Sequence, residues 1–161
     1  MKREILKTFT LLLVVAMTSC SAIYEDGQEL ASGIQQDITG ITVDELNAKI
    51  ENGEDFLLID VRQKDEFTNS AITGALNIPR GTLEFTIRND EFWEEEFLYT
   101  PENDQEIIVY CKLGHRGALA ALALQQIGFT NVKYLQGGIL AWDPNIEKNA
   151  PKKSSGGGCG D

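Results

Sequence analysis

The chain has 161 residues, 42% of them apolar and 24% charged, with a formal charge of -11 and a pI near 4.5. These are the proportions of a soluble globular protein with one core, and they exclude a disordered or collagenous chain and leave too little length for two comfortable domains. The acidity also excludes a nucleic-acid binder, because affinity for the phosphate backbone comes from clustered Lys and Arg.

Residues 1 to 19 begin with Lys2, Arg3 and Lys7, run apolar from Phe9 to Met17 and end in small residues. That is the layout of a secretory signal, with an apolar part too short to span a bilayer comfortably. The site Thr18-Ser19-Cys20 resembles the lipobox of bacterial lipoproteins, with Met17 where leucine is usual. The resemblance implies lipidation of Cys20 and an exported, membrane-anchored protein facing the periplasm or cell exterior. Residues 20 to 37 mix Gly, Ser, Gln and acids without sustained periodicity, which predicts a flexible tether.

The domain is expected over residues 38 to 147. "TVDELNAKIENG" pairs Thr42 with Glu45 as a capping box, carries Leu46 and Ile50 at helical spacing and stops at Gly53. "FLLIDV" is a short apolar run suited to a strand buried on both faces. "KDEF" fits a helical turn, "GALNIP" a short strand stopped by Pro79, and "GTLEFTIRNDEFWEEEFL" a mostly helical stretch. "EIIVYC" reads as a strand, the Ala- and Leu-rich "RGALAALALQQIG" as a helix, and "VKYL" as a last strand before "QGGILAW". Alternation of this kind predicts an α/β fold, a parallel sheet with helices on both faces. Residues 148 to 161, rich in Lys, Ser and Gly, predict a flexible tail containing Cys159.

In such sheets ligands bind beyond the carboxyl ends of the strands, where Cys111 falls. The loop "CKLGHRG" leads from that strand into the following helix, so backbone N–H groups and the positive helix end can face the sulfur. Gly114 and Gly117 permit a tight backbone, and Lys112, Arg116 and His115 add positive charge to an acidic chain. Cations and a helix N-terminus favour thiolate over thiol. A cysteine that only fills space needs none of these neighbours, although buried free cysteines commonly do only that. One histidine and three cysteines without zinc-ligand spacing exclude the usual zinc sites, so no metal and no cofactor is expected. The cysteines are likewise too few and too scattered for a disulfide framework.

Four stretches in order, "LIDVR" with Glu66 and Phe67, "ITGALNIP", the cysteine loop and "LQGGILAW", resemble a single rhodanese-homology domain from about Ile41 to Trp142. The resemblance implies a rhodanese-like fold with a central five-stranded parallel sheet, and a Cys111 that cycles through a persulfide. It further implies a loop of Lys112, Leu113, Gly114, His115, Arg116 and Gly117 that holds a small anionic sulfur donor such as thiosulfate, with a thiol or cyanide as acceptor. Asp60 and Arg62 match positions near that loop and are expected to support its geometry. Ser70 and Ala71 replace the Gly-His that often precedes this segment in the family, and Thr73 its proline. Cysteine phosphatases also use a Cys and an Arg around an anion, but with five residues between them rather than the four here, so sulfur fits better than phosphate. A non-catalytic binding or sulfide-sensing module is the alternative, and Cys159 is a candidate sulfur relay.

Overall fold

The computed structural model describes residues 23–146, so the expected signal segment, Cys20, the tail and Cys159 lie outside the described residues. Chain order is α1 (Gly27–Ile34), β1 (Gly40–Ile41), α2 (Val43–Glu51), β2 (Leu57–Asp60), α3 (Lys64–Asn69), β3 (Leu76–Asn77), α4 (Leu83–Thr86), α5 (Asp90–Glu95), β4 (Ile107–Tyr110), α6 (His115–Gln126), β5 (Val132–Leu135) and α7 (Gly138–Trp142). The strands form one five-stranded sheet in the order β1-β5-β4-β2-β3. All neighbours are parallel, with Ile59 opposite Val109 and Val109 opposite Tyr134 in the central register.

Strand periodicity divides the core. Ile107, Val109 and Cys111 belong to one apolar cluster, with Ala118, Ala121 and Leu124 of α6, Leu83 of α4 and Trp93 of α5. Ile108 and Tyr110 belong to a second cluster on the other face, with Leu46 of α2 and Ile139 of α7. Helices therefore cover both faces, and β4 is buried throughout because neighbouring strands flank it as well. Trp93, fully buried, donates its indole N–H to the Ile87 carbonyl at 2.9 Å.

The expected capping box exists: the Glu45 N–H reaches the Thr42 hydroxyl at 3.2 Å and the Thr42 N–H reaches Glu45 at 2.8 Å. The mostly helical acidic stretch breaks into α4 and α5, since Asn89 is extended and its side chain accepts from the Glu91 N–H at 3.0 Å. The expected tether needs correction. Part of it is α1, whose Asp26 side chain caps the Gln28 and Glu29 N–H groups, each at 2.8 Å. Ala31 of α1 is fully buried and Ile34 packs on the first cluster, so tertiary burial holds a helix too short to persist alone.

Candidate active site

Cys111 directly follows β4, the middle strand, and α6 begins four residues later behind Gly114. Gly114 adopts φ 94°, a left-handed turn that aims its N–H back at the Cys111 sulfur, 3.2 Å away. The N–H groups in the first turn of α6 have no intrahelical acceptor, and the positive helix end lies at the loop. The first turn of α6 packs against β4, where a methyl group at Gly117 would make an ordinary contact, 3.5 Å, with the Val109 carbonyl oxygen.

The last helix clamps the loop from behind. The Ile139 N–H donates to the Cys111 carbonyl at 2.8 Å and the Leu140 N–H to the Lys112 carbonyl at 3.2 Å. Gly138 makes this approach possible, because a Cβ there would lie 2.4 Å from the Cys111 carbonyl oxygen and 2.6 Å from the Lys112 carbonyl. With its carbonyls bonded outward, the loop is free to present N–H groups inward. Both glycines of "QGG" have positive φ, 72° at Gly137 and 63° at Gly138.

Arg116 makes a two-pronged bond to Glu66 of α3, Nη1 to Oε2 and Nη2 to Oε1, each 3.0 Å. Glu66 raises the Arg116 pKa, with a smaller contribution from Cys111, and Arg116 in turn lowers that of Glu66. Glu66 is further tied to the Gln63 N–H at 3.1 Å. Its role went unread in the sequence, where it marked a motif and nothing tied it to an arginine 50 positions away.

Asp60 and Arg62 sit at the carboxyl end of β2, next to β4, with exposures of 0% and 3%. Arg62 donates through Nε at 2.9 Å and Nη2 at 2.6 Å to Asp60 Oδ2, while Nη2 also reaches the Ser70 carbonyl. Burial alone would lower the Arg62 pKa, but the Asp60 bonds and charge raise it. Burial and the Asp60 charge also raise the pKa of the Tyr110 hydroxyl, which accepts the Ile72 N–H at 3.1 Å. The pair thus ties the end of β2 to the Ser70 carbonyl after α3.

A pocket of about 420 Å3 opens over Cys111. Lys112, Leu113, His115 and Arg116 line it, whereas Gly114 and Gly117 lie buried in the backbone beneath; Asp26, Gly27 and Gln28 at the start of α1 form an opposing wall. That wall was not foreseen, since its residues lie in the expected tether. Among the described residues no three His, Cys, Asp or Glu side chains gather as a metal set.

A cysteine on the carboxyl end of a central parallel strand, cradled by a glycine-bearing loop and a helix N-terminus, defines an α/β protein of the cysteine-loop class. Residues 42–145 match the rhodanese-like domain model, and the chain belongs to that family. It is 30% identical over 105 residues to a sulfurtransferase of Allochromatium vinosum, covering 65% of this chain and 88% of that one. It is 32% identical over 128 residues to the probable adenylyltransferase/sulfurtransferase MoeZ of Mycobacterium tuberculosis, covering 80% of this chain but 29% of MoeZ. The chain therefore spans under a third of that relative. The human single-domain sulfurtransferase TSTD1 superposes with a TM-score of 0.60 at 27% identity, covering 64% of this chain and 93% of TSTD1.

Proposed function

We propose that the protein is a sulfurtransferase that carries sulfane sulfur on Cys111. The Cys111 thiolate attacks the outer sulfur of a small anionic donor such as thiosulfate, sulfite leaves, and the resulting persulfide yields its outer sulfur to a thiol or cyanide. The observation that carries this reading is the cradle itself: Cys111 Sγ lies 3.2 Å from the Gly114 N–H, just before α6, with four residues between it and Arg116. Donors fixed in place before reaction stabilise the anionic sulfur without rearrangement. Lys112 and His115 in the pocket, with the Glu66-held Arg116, favour an anionic donor. Four intervening residues make a smaller ring than a phosphoryl group requires, which disfavours phosphatase chemistry.

The test is thiosulfate-dependent cyanolysis together with intact mass after donor treatment. One added sulfur on the wild-type protein, lost in Cys111→Ser, is expected; no added sulfur, or undiminished turnover in Cys111→Ser, overturns the reading. Sustained turnover also separates an enzyme from a binding module. Lipidation at Cys20 and anchoring to a membrane, facing the periplasm or cell exterior, complete the proposal. Incorporation of a labelled fatty acid that Cys20→Ser abolishes is the expected result.

A further inference from the structure

One pocket has to serve both halves of a sulfur-transfer cycle, and only one of its walls suits the donor. Lys112, His115 and Arg116 stand on the loop side with Cys111, where basic groups draw in an anionic donor. Asp26 stands in the opposing wall with Gly27 and Gln28, and a carboxylate there repels such a donor. Arg116 does not offset it, because both of its terminal nitrogens are bonded to Glu66. Loading of sulfur onto Cys111 therefore gives Asp26 no task.

The carboxylate is nevertheless held in place. Asp26 caps α1 through Oδ1, which accepts from the Gln28 and Glu29 N–H groups at 2.8 Å each, whereas Oδ2 makes neither bond. The same turn holds a second carboxylate, since Glu29 accepts from the Glu25 N–H at 2.6 Å. Ala31, fully buried, and Ile34 fix the helix against the domain. The Gln35 side chain at its end reaches the cysteine loop, with Nε2 3.7 Å from where a Cβ on Gly114 would lie. α1 also lies outside residues 42–145, so this wall is contributed from beyond the matched rhodanese-like domain. The cavity of about 420 Å3 is of small-molecule size. Leu113 and Leu119 add apolar surface to it, suited to a short carbon chain.

We propose that Asp26 selects the acceptor: it holds the ammonium group of a small aminothiol whose sulfur meets the persulfide on Cys111. The proposal rests on the sulfurtransferase reading above and names the acceptor class for that same site. The acceptor thiolate attacks the outer sulfur of Cys111–S–SH. A sulfur–sulfur bond forms to the acceptor, the one to Cys111 breaks, Cys111 departs as thiolate beside the Gly114 N–H, and the proton travels with the transferred sulfur. One persulfide is exchanged for another with no net oxidation, so no further reactant is required. The two walls thus sort the two substrates by charge, the anionic donor toward the loop and the cationic acceptor toward α1.

The protein is loaded with thiosulfate, freed of donor by gel filtration, and mixed with cysteamine, mercaptoethanol or mercaptopropionate, which carry a cation, a hydroxyl and a carboxylate on the same short chain. Loss of the added sulfur from Cys111, followed by mass, gives a rate against thiol concentration. Asp26→Asn is the variant, because asparagine caps a helix as well as aspartate does and only the charge is lost. Its rate with cysteamine should fall about fivefold relative to mercaptoethanol, the scale of one exposed ion pair. The loss should appear in the half-saturating concentration and not in the limiting rate, and mercaptopropionate should react faster than with the wild type. Differences in thiol acidity cancel, since each compound is compared between variant and wild type. Asp55→Asn removes an exposed carboxylate just before β2, at the other end of the sheet, and should leave all three rates unchanged. Equal or absent changes for the three thiols in Asp26→Asn overturn the selection of an aminothiol alone, as does the same shift in Asp55→Asn. No sulfur on Cys111 after thiosulfate, in wild type and variants alike, overturns the sulfurtransferase reading and the selection with it.

Discussion

Gly138→Ala tests whether the clamp on the cysteine loop depends on a missing side chain. Two costs can be separated. Gly138 has φ 63°, and a left-handed alanine costs roughly 1–2 kcal/mol, partly offset by about 0.4–1 kcal/mol from a stiffer unfolded chain. The new methyl group would also stand 2.4 Å from the Cys111 carbonyl oxygen, and overpacking of this kind adds about 1–3 kcal/mol. Gly74 is the internal control: its φ is 84°, yet a Cβ there meets nothing within 4 Å. Gly74→Ala is therefore expected to lose about 1 kcal/mol and Gly138→Ala about 2–4 kcal/mol. At about 3–5 °C per kcal/mol, the second variant should melt at least about 3 °C below the first. Where the loop yields instead of the helix, Cys111 moves, and a displacement near 1 Å costs on the order of 100-fold in rate. Thermal melts and thiosulfate cyanolysis on both variants and the wild type are the assays. Equal Tm and equal turnover for Gly138→Ala and Gly74→Ala would refute the reasoning.

Glu66→Ala removes the partner that orients Arg116; cyanolysis should fall about tenfold in kcat/KM while stability changes by less than about 1 kcal/mol, as for other half-exposed ion pairs. Asp60→Ala leaves a buried guanidinium without its partner and should cost about 3–5 kcal/mol by chemical denaturation; a loss below 1 kcal/mol would show the Asp60–Arg62 pair to be expendable. Stability should also fall in acid. Burial raises the Glu106 pKa, but its bonds to Lys133 and Lys49 outweigh that and leave it lowered, as Arg116 does for Glu66. Groups with lowered folded pKa values contribute fully above the unfolded carboxylate value, near 4.3, and lose that contribution as pH falls through the folded values. A Tm series from pH 6 to pH 3 should therefore drop chiefly below about pH 4, and Glu106→Gln should flatten it.

Much of this arrangement is legible residue by residue. Thr42 and Glu45 announce α2, the apolar run ending at Tyr110 marks the buried strand β4, and Cys111 with Gly114 and Arg116 marks the loop, because each signal is local. The signals that failed depend on distant chain. β1 is two residues, Gly40 and Ile41, defined only by their pairing with Tyr134 and Leu135. α1 exists through the burial of Ala31 and the cap from Asp26, neither of which produces a periodic pattern long enough to read. Glu66 and Arg116 meet across 50 positions, and the need for glycine at 138 becomes visible only when the carbonyls of Cys111 and Lys112 lie against it.

The bonds from Ile139 and Leu140 to the Cys111 and Lys112 carbonyls also order events during synthesis. β4 and α6 emerge from the ribosome before α7, so the thiol exists for some time in a loop that nothing yet holds from behind. The cradle closes only when the last helix docks. Chains interrupted before residue 140 thus carry the cysteine without the helix that bonds its carbonyl and that of Lys112.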